Sequence, residues 1–445
     1  FGIAPVESEG RPISVVLYRK QDFRDATGIG HWAGGLYDGV VRVPVEDLSK
    51  ERQALRRVLR HELAHAFVAR VAANRAPGWL NEGLAMRLED DDAAWRAALM
   101  ADMAHEAALT SGRKLTSIFF GGGTPSLMPP STVAALIDAA ERHWGFTDNI
   151  EITLEANPSS VEAARFADLA AAGVNRVSLG LQSLDDAALT FLGRAHSVAE
   201  SLDALGIAQR HFARVNIDLI YARPDQTATQ WEAELQRALS FGTDHMSLYQ
   251  LTIEPGTRFE TLVRTGHFIP ADDDDAATLY ELTGQMTSAA GIPAYEISNH
   301  ARPGNESRHN LSYWRYDDYI GIGPGAHGRR LNAATQRHKK PENFLSAVER
   351  NTHGISSEEY LDAATRATES LLMGLRLAEG IDLGRLSQRT GIAAADLLDM
   401  DAVGKIAQLG LITHNDTHVT VTPQGMPLLD AILPQIVKIE ADASA

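Results

Sequence analysis

Hydrophobic and polar positions follow two different periods along this chain, and the changes of period predict its elements. Short apolar runs typical of buried strands cover residues 117–120, 151–156, 176–182, 215–221 and 245–252. Stretches with helical spacing separate them, at residues 131–143, 161–172, 197–212 and 230–240. Repeated strand–helix units of this kind predict an α/β fold with a parallel sheet, closed or partly closed as a barrel.

The flanking regions have different patterns. Before residue 90 we expect a strand at 12–18, a hairpin at 35–43 with Asp38-Gly39 as its turn, and a helix at 50–73. We place a domain boundary at about residue 90, and a capped helix is expected after it at 93–109. The acidic run 272–275 predicts the cap of a helix at 276–290. Toward the C-terminus we expect short helices and then a hairpin, over residues 363–377, 383–390, 394–398, 403–409, 412–414 and 418–422.

Composition narrows the class of protein. The 445 residues are 44% hydrophobic and 22% charged, as in soluble globular proteins of two or three domains. The net charge of −17 argues against nucleic-acid binding, and no apolar run has the length of a membrane span. The start, Phe1-Gly2-Ile3-Ala4-Pro5, is typical of a fragment or a processed chain and not of a signal peptide, so we expect a cytoplasmic location.

The segment His61-Glu62-Leu63-Ala64-His65 lies in the first predicted helix. Histidines at i and i+4 share one helix face and can bind one metal ion, with Glu62 beside the metal-bound water as general base. Glu82, at the start of a second predicted helix, would complete a two-histidine, one-glutamate zinc site with an open position. The alternative is an amphipathic helix with two histidines on its polar face.

This segment resembles the gluzincin metallopeptidases. The resemblance implies a small α+β zincin-like domain over residues 1–90, in which His61, His65 and Glu82 bind zinc and Glu62 is catalytic. The peptidase pattern stops near Glu89, before the further helical portion that closes the cleft in gluzincins.

A glycine loop, Gly121-Gly122-Gly123-Thr124, follows the first strand of the central region. Glycines at a strand end allow backbone N–H groups to approach a ligand closely, and α/β folds bind ligands at this edge. Glu155, Gln182 and Asp218 come at the ends of other predicted strands, and Arg194 lies in a loop nearby in sequence. A capping or salt-bridge role is the alternative for each of them.

The motifs around these residues occur in a fixed order. They include Phe-Phe-Gly-Gly-Gly-Thr-Pro-Ser, Glu-Ala-Asn-Pro, Ser-Leu-Gly-Leu-Gln-Ser, Leu-Gly-Arg-Ala-His and Tyr-Glu-Ile-Ser-Asn, and they resemble the radical S-adenosylmethionine family of coproporphyrinogen III oxidases and HemW-type heme chaperones. The resemblance covers about residues 92–435. It implies an incomplete (β/α) barrel at 91–345 and a winged-helix-like domain at 346–445. By this likeness Gly122, Gly123 and Thr124 hold the methionyl end of S-adenosylmethionine, and Glu155, Gln182, Arg194 and Asp218 contact the rest.

The absence of cysteine is a severe departure from that family. The family holds a 4Fe-4S cluster with three cysteines of a CxxxCxxC loop, which this chain lacks, so it cannot ligate the cluster in that way. We therefore do not expect radical chemistry from it.

The pattern His309-Asn310-Leu311-Ser312-Tyr313-Trp314 resembles the heme-binding motif of HemW-type chaperones. It implies that His309 is an axial heme ligand, with Tyr313 and Trp314 as apolar walls; the alternative is a packed aromatic cluster with a hydrogen-bonded histidine. Three hypotheses follow: a protein that binds heme or porphyrin and passes heme to an apoprotein, a zinc peptidase, or a chimera of two truncated genes with neither activity intact.

Overall fold

The computed structural model describes residues 15–18, 22–23, 36–37, 41–45, 55, 58–59, 63 and 92–438. The chain divides into two compact units, residues 1–94 and 95–445. Among the residues described, no helix combines the length and apolarity needed to cross a membrane.

The first unit contains a small three-stranded sheet of β1 (Val15–Tyr18), β2 (Leu36–Tyr37) and β3 (Val41–Pro44). β2 and β3 pair antiparallel, which confirms the predicted hairpin, and β1 runs parallel to β3. Buried valines 41, 43 and 45 pack against helical residues 55, 58 and 59. The predicted zinc-site residues lie outside the described residues, namely His61, Glu62, His65 and Glu82.

The second unit is built on a six-stranded sheet. Its strands lie in sequence order: β4 (Leu115–Phe120), β5 (Phe146–Ala156), β6 (Arg176–Gln182), β7 (Arg214–Tyr221), β8 (His245–Gln250) and β9 (Asn299–Ala301). The first five are parallel and β9 is antiparallel to β8, so the predicted parallel sheet is confirmed. Within residues 92–438 this sheet is open, with β4 and β9 at its edges, and not a closed barrel.

Helices precede, connect and flank these strands, and those between the parallel strands cover the apolar face of the sheet. They are α1 (Asp92–Leu109), α2 (Pro130–Trp144), α3 (Ser160–Ala163), α4 (Phe166–Ala171), α5 (Asp186–Phe191), α6 (Val198–His211), α7 (Ala228–Leu239), α8 (Arg258–Arg264), α9 (Asp273–Ala289) and α10 (Arg308–Trp314). The single helix predicted at 161–172 is wrong: α3 and α4 are separate, and Arg165 between them donates to the Leu127 carbonyl at 2.9 Å. The Asp272 side chain caps α9 by accepting the Asp275 N–H at 2.8 Å, as predicted.

The two faces of the sheet differ in chemistry. Apolar residues of the strands, such as Leu154, Leu179 and Ile217, are fully buried in the main core. Residues next to them in sequence point the other way and are polar, and several are also buried, including Thr153, Arg176, Ser178, Asn216, His245 and Ser247. Buried polar groups need partners, so this inner face marks the region where a ligand site is expected.

A second sheet adjoins α1. It consists of β10 (His327–Arg330), β11 (Ala333–Arg337) and β12 (Ile355–Tyr360), all antiparallel, with α11 (Pro341–Asn351) between β11 and β12. Arg337 binds Glu106 of α1 at 2.6 Å and Asp102 at 3.3 Å, and Arg330 binds Glu106 at 2.5 Å. These ion pairs are almost fully buried and fix α1 to the sheet.

The C-terminal region has its own apolar core, which includes Leu371, Leu398 and Val419. Its elements are α12 (Ala363–Gly374), β13 (Ile381–Asp382), α13 (Leu383–Thr390), α14 (Ala394–Leu397), α15 (Met400–Gln408), β14 (Ile412–His414), β15 (His418–Val421) and α16 (Leu429–Ile436). The predicted hairpin is confirmed, since Ile412 pairs with Val421. β13, which the sequence pattern did not predict, pairs with β15.

Candidate functional site

The glycine loop lies at the carboxyl end of β4. Gly122 and Gly123 have φ of +80° and +35°, and a Cβ on either would meet no atom within 4 Å. Gly121 is different, because a Cβ there would lie 2.6 Å from Cε1 of Phe119. The Gly122 N–H donates to Oε2 of Glu155 at 3.1 Å, and Thr124 leads into a short 3-10 turn. The loop therefore presents exposed backbone beside a carboxylate of the next strand.

Glu155, near the end of β5, forms an acidic pair with Asp218, which lies in the middle of β7 (Arg214–Tyr221) and not at its end as predicted. Asp218 accepts from Asn216 Nδ2 at 2.7 Å and from Ser178 Oγ at 3.3 Å. Burial is the largest cause that raises the pKa of both carboxyls, and the charge of Asp218 raises the pKa of Glu155 further. Within residues 92–438 neither carboxylate forms an ion pair. A cationic ligand between them would supply the missing partner.

Arg194 and Gln182 complete the predicted set. The Nε of Arg194 is buried and has no hydrogen-bond partner among the described residues. Burial lowers the pKa of Arg194, and the nearby charge of Asp218 opposes that shift. Gln182 ends β6 with a φ of +68°, and its amide folds back over Gly180. The structure thus joins Gly122 to Glu155 directly and brings Asp218 within electrostatic range of Glu155 and Arg194.

His309 lies in the first turn of α10. Glu151 of β5 anchors this turn by accepting the His309 N–H at 3.3 Å and the Ser307 hydroxyl at 3.4 Å. The imidazole stacks on Phe119 with ring centroids 4.1 Å apart, and the Tyr313 ring meets it edge-on at 4.7 Å. Burial lowers the pKa of His309 to about 4, so the ring is neutral at pH 7.

Trp314, the other predicted apolar wall, has no ring contact with His309 among the described residues, and its role at a heme site stays a prediction. Its ring lies over the Arg376 guanidinium, at 4.9 Å. Helix geometry explains this difference, because residues at i and i+4 share a face whereas i+5 is rotated away. Tyr313 is at i+4 from His309 and Trp314 at i+5. Phe119, which the motif did not include, takes the position of the second aromatic wall.

A chain of hydrogen bonds joins α10 to Asp218 across the inner face of the sheet. Asn310 donates to the Tyr295 hydroxyl at 3.1 Å, which lies 3.0 Å from Nε2 of His245. Nδ1 of His245 lies 2.6 Å from Oδ1 of Asn216, whose amide nitrogen donates to Asp218. Burial lowers the pKa of His245 well below its ordinary value, so the ring is neutral and can donate at Nδ1 while accepting at Nε2.

Two buried glutamates that the sequence reasoning missed hold the loops around the site. Glu162 accepts from Asn157 N–H at 2.7 Å and from the Ser126 hydroxyl, which links the loops after β5 and β4. Glu234 accepts from Leu184 N–H at 2.7 Å and pairs with Arg223, which links the loops after β6 and β7.

For Glu234 a signal was available in the sequence. It follows Trp231 by three positions and precedes Leu235, so it lies on the apolar stripe of α7. An acidic residue on such a stripe indicates a buried, paired carboxylate.

Several known proteins are similar to this chain. Residues 95–238 match the family model "Radical SAM superfamily", and residues 361–428 match "HemN C-terminal domain". The mitochondrial radical S-adenosyl methionine domain-containing protein 1 of Bos taurus is 38% identical over 354 residues, covering 77% of this chain and 80% of that protein. The heme chaperone HemW of Escherichia coli is 35% identical over 346 residues, covering 75% and 87%.

A solved structure has the same fold. Coproporphyrinogen III oxidase (HemN) from Escherichia coli, a radical SAM enzyme, superposes with a TM-score of 0.65 at 20% identity. The superposition covers 77% of this chain and 82% of that chain. At this identity the likeness establishes the fold alone.

Proposed function

Because this chain belongs to the HemW family of radical S-adenosylmethionine proteins, we propose that it binds heme through His309 and delivers the heme to an acceptor apoprotein. The observation that carries the proposal is the state of the His309 ring, which is neutral and held between Phe119 and Tyr313. Relatives named heme chaperones support the delivery role. The cytoplasmic location expected from the sequence stays a prediction.

The chemistry of the ring fits an axial ligand. Heme iron accepts the lone pair of a neutral imidazole, and protonation would remove that lone pair. In the part of the chain that the structure describes, no hydrogen bond engages the ring nitrogens of His309, so the lone pair is free. The flanking aromatic rings offer apolar surface against which a porphyrin can pack.

A heme titration followed through the Soret band tests this proposal. The wild-type chain should give a saturable band, and His309→Ala should abolish it. His267→Ala is the matched control, because His267 is an exposed histidine far along the chain from α10. A Soret band in His309→Ala equal to that of the wild type would overturn the assignment.

We further propose that the glycine loop and the acidic pair bind S-adenosylmethionine. Gly122, Gly123 and Thr124 would hold its methionyl end, with Glu155, Gln182, Arg194 and Asp218 around the rest. The ligand carries a sulfonium and an ammonium, which suit two partly buried carboxylates without ion pairs, and a carboxylate, which suits the unpartnered Arg194 Nε. Next to a reduced 4Fe-4S cluster, this cofactor supplies the radical chemistry of the superfamily.

The cluster itself does not fit this chain. The sequence contains no cysteine, and the described residues contain no group of three potential metal ligands. We propose that the chain binds S-adenosylmethionine without cleaving it. Calorimetry should show saturable binding that Asp218→Asn weakens and Glu349→Gln, an exposed control on α11, leaves unchanged. Formation of 5′-deoxyadenosine under reducing conditions would contradict the proposal.

A second candidate function is zinc-dependent peptide hydrolysis by residues 1–90. The sequence motif supports it: His61 and His65 with helical spacing, Glu62 between them, and Glu82 downstream. Metal analysis should find one zinc per chain, and Glu62→Gln should keep the zinc but lose hydrolysis of an unfolded protein substrate. Absence of stoichiometric zinc would eliminate this candidate.

We also propose that residues 1–90 and 91–445 derive from two truncated genes. The family match that begins at residue 95 supports this division, as does the change of compact unit after residue 94. Within the second part, the helices and hairpin of residues 346–445 support a winged-helix-like domain after a partial barrel at 91–345. Sequencing the source DNA across the codons for residues 80–110 tests the join: an uninterrupted reading frame there would refute an assembly error and leave recombination as the origin of a chimera.

A further inference from the structure

A cavity of about 230 Å³ lies between the C-terminal helices and the second sheet. Residues of α12 and α13 form one side, and the β10–β11 hairpin with the segment after α10 forms the other. Its lining is rich in guanidinium groups, from Arg113, Arg329, Arg330, Arg366 and Arg389. Such planar groups bind carboxylates and phosphates through paired hydrogen bonds.

Carboxylates of the protein form ion pairs with only some of the arginines in this lining. Arg113 pairs with Asp318 at 2.9 Å and Arg389 with Asp317 at 2.9 Å. Arg366 is different, because its hydrogen bond among the described residues runs from Nη1 to the Arg389 carbonyl oxygen, at 3.1 Å. No described carboxylate pairs with it. The cavity therefore has a guanidinium that forms no ion pair among the described residues, although the charge of Asp362 lies within electrostatic range of it.

Two buried nitrogens in this lining also lack hydrogen-bond partners within residues 92–438. They are Nη1 of Arg329 and Nε of Arg366. Buried N–H groups are nearly always paired in folded proteins, and an unpaired one is costly. A bound oxyanion would accept hydrogen bonds from both of these nitrogens, and its negative charge would neutralise Arg366. These two atoms are the strongest indication that the cavity is a binding site.

Tyr316 holds one of these arginines in place at the expense of backbone strain. It follows α10 with a φ of +56°, a conformation that favours glycine. Its hydroxyl donates to Glu369, which also pairs with Arg329, and its ring lies 5.8 Å from Arg329 Cζ. Strained positions of this kind are concentrated at functional sites, where the contacts of the side chain offset the energetic cost of the backbone conformation.

The size of the cavity limits the ligand. Sites for drug-sized molecules occupy roughly 300–1,000 Å³, which exceeds this volume. We propose that the cavity binds a small oxyanion, a phosphate or a carboxylate group, between the C-terminal helices and the β10–β11 hairpin. The proposal does not depend on heme or S-adenosylmethionine binding.

Calorimetric titrations of the full chain test the proposal. Inorganic phosphate and propionate are added separately at constant ionic strength, with chloride as the reference anion. Saturable binding of either oxyanion supports the site, and the tighter of the two identifies its source as a phosphate or a carboxylate. Failure of both to bind beyond the chloride reference would overturn the proposal.

Variants at Arg366 locate the binding. Arg366→Gln should lower the affinity for the oxyanion at least about tenfold. Arg366→Lys should lower it less, because lysine keeps the charge although it lacks the planar guanidinium. Arg350→Gln, an exposed arginine on α11, removes the same charge elsewhere and should bind as the wild type does. Circular dichroism checks that each variant is folded. Equal losses in Arg350→Gln and Arg366→Gln would refute the location.

Discussion

Replacing Gly121 with alanine tests whether the glycine loop and His309 are coupled through one aromatic ring. The added Cβ would lie 2.6 Å from Cε1 and 3.0 Å from Cδ1 of Phe119. The φ of Gly121 is outside the left-handed region, so alanine can adopt the backbone and the effect is confined to this clash. Because Phe119 stacks on His309 at 4.1 Å, moving its ring disturbs the imidazole.

The expected magnitude follows from the contact that is lost. An aromatic pair contributes about 0.5–1.5 kcal/mol beyond its burial, and about 1.4 kcal/mol corresponds to a tenfold change in affinity. Loss of the stack should therefore weaken heme binding roughly 2- to 13-fold. The clash itself costs about 1–3 kcal/mol of stability if the ring cannot move away, as in other overpacked cores.

Heme titration of Gly121→Ala, followed through the Soret band, measures the effect. Gly284→Ala in α9 is the matched control, since a Cβ there meets no atom within 4 Å. The control should bind heme as tightly as the wild type. If the affinity of Gly121→Ala equals that of Gly284→Ala, the proposed coupling through Phe119 is wrong.

Three further outcomes are expected. Glu106→Gln removes the carboxylate that pairs with both Arg337 and Arg330 and leaves them Asp102 and Glu358 as partners, so urea unfolding should show a loss of about 1–3 kcal/mol, against a change within about 0.5 for exposed Glu349→Gln. Affinity for S-adenosylmethionine should decrease as the pH is lowered through the raised pKa of Glu155, because protonation removes the charge that faces the cation, whereas calorimetry of Glu155→Gln should lack this step and keep only the step of Asp218. Heme affinity should stay constant well below the ordinary histidine pKa of about 6.5, because the pKa of His309 is about 4; a Soret titration showing loss near 6.5 would contradict this.

The repeating elements could be predicted from the sequence because their causes are local. β6 was expected at 176–182 and extends over Arg176–Gln182, and the hairpin at β14–β15 follows its alternating pattern. The glycine loop could likewise be predicted, since three glycines directly after an apolar run end the strand and allow the positive φ that Gly122 and Gly123 adopt. The break between α3 and α4 could not be predicted from the sequence, because it accompanies a contact of Arg165 with the distant Leu127 carbonyl.

The contacts that define the site could not be predicted, because they join residues far apart in sequence. Phe119 meets His309 only once β4 and α10 are packed, and no local pattern indicates that pairing. The sequence analysis assigned no role to the acidic residues of α1, yet Asp102 and Glu106 are fully buried against arginines more than two hundred positions later. A charge pattern does not reveal burial when its partners come from another element.

Two physical connections link the acidic pair at the sheet edge to α10: the hydrogen-bond chain through His245 and Tyr295, and the packing of Phe119 between Gly121 and His309. Binding at one end therefore has a route to alter the other. If S-adenosylmethionine changes heme affinity by some factor, heme must change S-adenosylmethionine affinity by the same factor. Titrations performed in both orders should thus agree, and Gly121→Ala should reduce that shared factor while Gly284→Ala preserves it. A factor of one in the wild-type chain would show that the two connections are structural supports and transmit no binding energy.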